Sequence, residues 1–241
     1  MIQEDGRRIP AITTAEMREV DRLMVEEYRI SLLQMMENAG RHLARFVVSR
    51  FLGSEPVGKQ VVVLVGPGGN GGGALVAARR LRSWGVDVEV YLARPEAQLR
   101  GVPTHQASIA RRVGCVIDDS GMPAEGAHVV VDGLVGYSLQ EVLTGRSKVL
   151  AEWANEHAVA TVSLDVPSGL DATTGRVGGV AIAADATLTL ALPKTGLLVD
   201  GARSYVGELH LADIGVPPEL YEALGIRVSP LFAGEEILRM F

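Results

Sequence analysis

Gln60-Val61-Val62-Val63-Leu64-Val65-Gly66-Pro67-Gly68-Gly69-Asn70-Gly71-Gly72-Gly73-Ala74 passes from a β-branched run through glycines into the helix-forming Leu75-Val76-Ala77-Ala78-Arg79-Arg80-Leu81. An unbroken apolar run of this kind reads as a parallel strand buried on both faces, here followed by a tight turn and a helix. Gly66, Gly68 and Gly71 fit the dinucleotide pattern G-x-G-x-x-G in its required strand-to-helix setting. Five of the six residues from Gly68 to Gly73 are glycine, a density read here as a loop that lets an anionic ligand approach a helix N-terminus. No Gly-Lys-Ser/Thr closes the loop, so it is not a P-loop. The acidic residue that ordinarily ends the second Rossmann strand is also missing: the run Val86 to Ala93 ends in Arg94.

Outward from that stretch, strand, turn and helix repeat. Apolar β-rich runs recur at Val61–Val65, Val88–Ala93, Cys115–Ile117, Val129–Val131 and Thr161–Leu164, with helical segments between them at Ala74–Trp84, Pro103–Val113 and Leu139–Glu156. This alternation predicts a Rossmann-like three-layer α/β/α sandwich around a mainly parallel, doubly wound sheet. Two later runs, Thr187–Leu192 and Gly207–Leu211, follow without an obvious intervening helix and are expected to add antiparallel edge strands. Residues 1–12 read as an irregular arm and the tail from Pro217 as short helical patterns, within one domain spanning residues 1–241. Before the first strand, Thr13-Thr14-Ala15-Glu16 is a capping pattern that opens a helix through Met17, Val20, Leu23 and Met24. A second helix begins near Ser31; its apolar face is interrupted by Glu37 and Asn38 beside Ala39 and Gly40, a pattern fitting either close helix packing or a ligand contact.

Composition narrows the function. A formal charge of -6 argues against sequence-independent binding of nucleic acid or anionic lipid. The single cysteine, Cys115, lies in an apolar run and reads as core. No apolar segment approaches bilayer-spanning length and the N-terminus lacks a signal h-region, so a cytoplasmic protein with a small-molecule ligand is expected.

In doubly wound sheets ligands bind beyond the carboxyl ends of the strands. There this chain places Asn70, then Asp132-Gly133-Leu134-Val135-Gly136-Tyr137-Ser138, then Asp165-Val166-Pro167-Ser168-Gly169-Leu170-Asp171. Two carboxylates, an amide and a hydroxyl converging beside a glycine loop make a candidate cation and acid/base site. Asp171 reads as a turn cap. Lys194 fits a charge partner for ligand or carboxylate, or a solvated surface lysine.

Taken in order, Met36-Glu37-Asn38-Ala39-Gly40, the Gly68–Gly73 loop, Val131-Asp132-Gly133-Leu134-Val135-Gly136, Leu164-Asp165-Val166-Pro167-Ser168-Gly169-Leu170-Asp171 and Ala191-Leu192-Pro193-Lys194-Thr195-Gly196-Leu197 resemble the YjeF N-terminal domain family of NAD(P)H-hydrate epimerases. The resemblance implies a homodimer that interconverts the R and S forms of hydrated NADH and NADPH (NADHX and NADPHX). It further implies a potassium ion held by Asn70, Asp132 and Ser168. Gly69, Asn70, Gly71, Gly72, Gly73, Gly136, Tyr137, Ser138, Leu139 and Asp165 would contact substrate, with Asp165 as the catalytic acid/base. The functional partner it implies is a separate NAD(P)HX dehydratase. Gly69 and Gly73 stand where the family loop carries Asn and Asp, and Tyr137 stands at a position usually occupied by a small residue. Two other readings stay open: a non-catalytic module binding an adenine-nucleotide-like ligand, and an NAD(P)-dependent oxidoreductase, the latter lacking a recognisable catalytic pair.

Overall fold

The run from Gln60 forms the central strand β1 (Gln60–Val65). Its side chains alternate between two cores: Val61, Val63 and Val65 enter the larger, Val62 and Leu64 the smaller, so neither face meets water. The computed structural model describes residues 9–139 and 141–241. Among them β1 is joined by β2 (Asp87–Leu92), β3 (Val116–Asp118), β4 (Val129–Gly133), β5 (Thr161–Leu164), β6 (Ala186–Leu190), β7 (Glu208–Ala212) and β8 (Ile237–Arg239). They make one sheet in the order β3-β2-β1-β4-β5-β6-β7-β8. Val61 aligns with Val88 of β2 on one side and Val129 of β4 on the other, both parallel. The direction of winding reverses between β1 and β4, which fixes where a ligand crevice opens.

Helices α1 (Thr14–Glu26), α2 (Leu32–Phe51), α3 (Gly69–Ser83) and α4 (Val102–Arg112) bury apolar faces in the larger core. On the other face α5 (Gly145–His157) sets Leu150, Ala151, Trp153 and Ala154 against Val62, Leu64 and Val130. Two short helices, α6 (Arg203–Val206) and α7 (Pro218–Ala223), complete the fold. The expected capping box opens α1: Glu16 N donates to Thr13 Oγ1 and Thr13 N donates to Glu16 Oε2 at 2.7 Å. Ser31 and Gln34 repeat the device at α2. Glu37 of α2 pairs with both Arg79 and Arg80 of α3, and Asn38 reaches the Ile214 carbonyl, so these polar residues tie elements together. Gly40 lies where a Cβ would collide with the Gly73 carbonyl and Val76 of α3. Cys115 is buried, and burial pushes its thiol up to about 11, as fits a core residue.

Three expectations are corrected. The later runs are not antiparallel edges: β6 pairs parallel with β5 and β7 parallel with β6. The segments 165–185 and 191–207 are each longer than a dozen residues, enough for a crossover even with little or no helix. The antiparallel edge is β8, in the tail read as helical; it aligns His210 with Arg239. Finally, Ile9 and Ile12 are buried, and Ile12 forms a parallel bridge with Lys194, so the described end of the arm is built into the core. Residues 1–8, the rest of that arm, and Gln140, within the expected Leu139–Glu156 helix, lie outside the described residues.

Two histidines sit in this core and carry a pH dependence. Burial pushes His42 and His210 below the usual 6.5, with Arg41 and Arg50 respectively adding to the effect. Between the lowered value and 6.5 the unfolded chain binds more protons than the folded one, so stability falls as pH falls through that window. We expect the melting temperature to drop on acidification from about pH 7 toward about pH 5.5, and to drop less in a His42→Gln, His210→Gln variant. Equal slopes in both proteins would contradict this assignment.

Candidate active site

β1, β4, β5 and β6 are neighbours in the sheet, and their carboxyl ends deliver Asn70, Gly136 to Ser138, Asp165 and Lys194 to one cavity of about 280 Å³. Met17 and Asp21 of α1, Leu32 and Met36 of α2, and Ile214 beyond β7 close its apolar side.

Asp165 follows β5 with φ of 68°, in the left-handed region that Asp tolerates better than most residues. Its main-chain N–H donates to Leu188 O on β6 at 2.8 Å, which holds the unusual turn in place. The carboxylate accepts from Lys194 Nζ, from Tyr137 N at 3.1 Å, from Leu190 N at 3.3 Å and from Thr189 Oγ1 at 3.4 Å. Each of these partners can donate, so both Asp165 side-chain oxygens are engaged as acceptors beside the cavity. Lys194 is 0% exposed, not a solvated lysine. Its ammonium also donates to Leu190 O at 2.8 Å and stands 5.8 Å from the Tyr137 ring centre. Ile12 clamps this segment: its N–H donates to Pro193 O at 2.9 Å and its carbonyl accepts from Thr195 N at 2.9 Å.

The second carboxyl group in the cavity comes from a residue that sequence reading passed over. Asp21 accepts a hydrogen bond from the Tyr137 hydroxyl, its one hydrogen-bond partner among the described residues. Burial pushes the Asp21 carboxyl above the usual range; the Tyr137 hydrogen bond and Lys194 oppose the shift, and Asp165 adds to it. The same burial, with Asp21 beside it, raises the Tyr137 phenol. A signal was present: Asp21 lies between Met17, Val20 and Met24, at the margin of the buried face of α1.

Asp132 and Ser168 meet inside the protein rather than on the cavity wall, both 0% exposed. The Asp132 carboxylate accepts from Ser168 Oγ at 2.6 Å, Ser168 N at 2.9 Å, Ser163 Oγ at 2.8 Å and Leu134 N at 3.2 Å. All four donors are neutral, and burial pushes this carboxyl upward. A buried carboxylate with only neutral donors is short of positive charge. Asn70, on the first turn of α3, sets its side-chain oxygen 3.1 Å from where a Gly136 Cβ would stand, and its amide nitrogen is buried with no partner among the described residues. Turned over, that amide would present an oxygen instead. Oxygen donors from Asn70, Asp132 and Ser168 fit a hard cation in kind.

The glycine stretch behaves differently from its reading as a loop. Helix α3 already begins at Gly69, and Gly71, Gly72 and Gly73 are buried within its opening turns. A Cβ on Gly71 would collide with Gly66 O; on Gly72 it would lie 2.8 Å from Val102 Cγ1, and on Gly73 2.9 Å from Leu164 Cδ2. Close packing on the preceding turn, α4 and β5 requires these three glycines, and only Gly69 and Asn70 of the stretch line the cavity. Leu139 packs on the smaller core and Arg94 is exposed; neither lines the cavity. Asp171 caps its turn as expected, accepting from Thr173 N and Thr174 N.

Comparison with known proteins shows the family and the fold. Residues 32–196 match the family described as YjeF-related protein N-terminus. Over 95% of its length the chain is 43% identical to a protein of Dehalogenimonas lykanthroporepellens named NAD(P)H-hydrate epimerase, 93% of which is covered. A protein of the same name from Rhodopirellula baltica is 34% identical over 91% of this chain and 90% of its own. A bifunctional NAD(P)H-hydrate repair enzyme Nnr of Moorella thermoacetica is 36% identical over 87% of this chain but only 41% of its own length. The crystal structure of yeast ynu0 superposes with a TM-score of 0.81 at 22% identity, covering 96% of this chain and all of the other, and shows the same fold.

Proposed function

Since the chain belongs to the family of YjeF-related protein N-termini, we propose that it is an NAD(P)H-hydrate epimerase, an isomerase that interconverts the two forms of hydrated NADH and NADPH. The observation that carries the reading is the Asp165–Lys194 pair, buried yet facing a cavity at the point where the sheet reverses its winding. In the hydrated ring the hydroxyl-bearing carbon, C6, adjoins the ring nitrogen. Loss of the hydroxyl as water leaves an iminium stabilised by that nitrogen, and return of water to the other face inverts the carbon. Both steps need proton transfer, and Asp165, lining the cavity, is placed to perform one on its own side of the ring.

A volume of about 280 Å³ holds the reacting end of a dinucleotide, not the whole. The remainder would extend past Gly69 and Asn70, where the N-cap residue of α3, Gly68, offers no side-chain cap and leaves N–H groups for a phosphate. Asn70, Asp132 and Ser168 would hold potassium; the cation would offset the buried Asp132 charge and brace the loops after β4 and β5. The reading extends to a cytoplasmic homodimer supplying one epimer to a dehydratase partner, in keeping with the bifunctional naming of some relatives. No helix among the described residues is long and apolar enough to cross a membrane.

The test is to follow a single epimer of hydrated NADPH by chromatography, with and without the purified protein, in potassium and in lithium chloride. The expected result is interconversion well above the spontaneous rate, faster in potassium, together with a higher melting temperature in potassium. A rate equal to the spontaneous one from folded protein would overturn the epimerase reading; equal rates and melting temperatures in the two salts would overturn the potassium site.

A further inference from the structure

Inversion through a planar iminium has a geometric requirement. Water must leave from one face of the ring and return to the other, so the two proton transfers take place on different faces, and one carboxylate fixed beside one face serves only half the reaction. The cavity offers two carboxyl groups on separate elements: Asp165 after β5 and Asp21 on α1. We propose, on the epimerase reading given above, that Asp21 is the second catalytic acid/base, handling the proton on the ring face turned away from Asp165, and that Tyr137 orients it.

The environments of the two groups are arranged for opposite roles. Asp165 is surrounded by four donors, one an ammonium, and is set up as a base. Among the described residues Asp21 has a single donor, the Tyr137 hydroxyl, on Oδ2, with its other oxygen placed to carry a proton. Burial favours its protonated form, against the pull of Tyr137 and Lys194. Tyr137 joins the two, since its main-chain N–H holds Asp165 while its hydroxyl holds Asp21.

The steps balance. The Asp21 proton passes to the C6 hydroxyl of one epimer, the C–O bond breaks with its electron pair leaving on water, and the ring nitrogen lone pair forms the C=N bond. A water on the Asp165 side then forms the new C–O bond with its own electron pair, restoring the nitrogen lone pair, and passes a proton to Asp165. One water is released, one is consumed, and one proton has moved from Asp21 to Asp165. The opposite epimer runs the same sequence in reverse, and solvent resets the two carboxyls.

A single group serving both faces predicts something different, and solvent oxygen exchange separates the two. Each epimer would be incubated in 18O-water with the full-length wild-type protein, Asp21→Asn and Asp165→Asn. Inversion and label at C6 would be measured above the spontaneous background. Wild-type protein should show both. In Asp21→Asn, inversion should fall at least about 100-fold, while one epimer still takes up label without inverting, because Asp165 remains on that face. In Asp165→Asn the other epimer should show this behaviour. Tyr137→Phe removes the donor that favours ionised Asp21, with Lys194, Asp165 and Tyr221 also facing that carboxyl. Its rate should therefore be retained to higher pH than that of the wild type. Wild-type inversion in Asp21→Asn, or loss of label uptake from both epimers in that variant with its fold intact, would overturn the role of Asp21 and leave the epimerase reading standing. An inert wild-type protein would instead overturn the reading on which the role rests.

Discussion

Asp165→Asn will lose epimerisation and, unlike most active-site substitutions, will also lose stability, by about 3–5 kcal/mol. The reason is Lys194. With 0% exposure and one carbonyl as its other partner, its ammonium would be left in the interior with an amide in place of a counter-charge. For a chain of this size the loss corresponds to a fall in melting temperature on the order of 10 °C. Lys194→Met will be destabilised in the same way, because it strands Asp165. The double variant Asp165→Asn, Lys194→Met removes both charges and will recover most of the stability while remaining inactive. Asn is also tolerated at the positive φ of this position. Thermal melts of the four proteins form a double-mutant cycle; additive losses would mean that the pair is not coupled in the folded protein.

Gly71→Ala will destabilise the protein by about 1–3 kcal/mol or more, even though alanine is the better helix former at a position already inside α3. The added methyl meets the backbone carbonyl of Gly66, which cannot turn aside without disturbing the end of β1. Gly68→Ala is the control: nothing lies within 4 Å of its Cβ and its φ is -97°, so the change should stay within about 0.5 kcal/mol. Gly72→Ala and Gly73→Ala should fall between, since they meet the ends of Val102 and Leu164 side chains that can shift. Denaturant midpoints would establish the order. Equal, small effects at all four positions would mean that the glycines are retained for a ligand and not for packing.

These two cases mark what can be read from a sequence and what cannot. The alternation of apolar runs and turns made the parallel sheet legible, because the mostly buried strands β1, β2, β4 and β5 each coincide with a β-rich apolar run. β8 was not legible, because Ile237–Arg239 is three residues long and becomes a strand only by pairing with β7. The strand-end carboxylates Asp132 and Asp165 were visible as charges following apolar runs. Their different surroundings were not: Asp132 accepts from four neutral donors in the interior, and Asp165 faces the cavity beside Lys194. Which carboxyl meets which partner depends on contacts between residues far apart in the chain. Asp21 and Tyr137 are 116 positions apart, and no local pattern joins them. The glycine stretch was ambiguous in the sequence because a phosphate loop and a tightly packed helix start ask for the same residue type.

The most direct measurement follows one epimer of hydrated NADPH with the wild-type protein and with the Asp165→Asn, Lys194→Met variant, each melted beforehand to confirm that it is folded. Interconversion above the spontaneous rate from the wild type, and none from an equally folded variant, is the predicted result. Equal rates from the two proteins would place any catalysis outside this cavity and contradict the account.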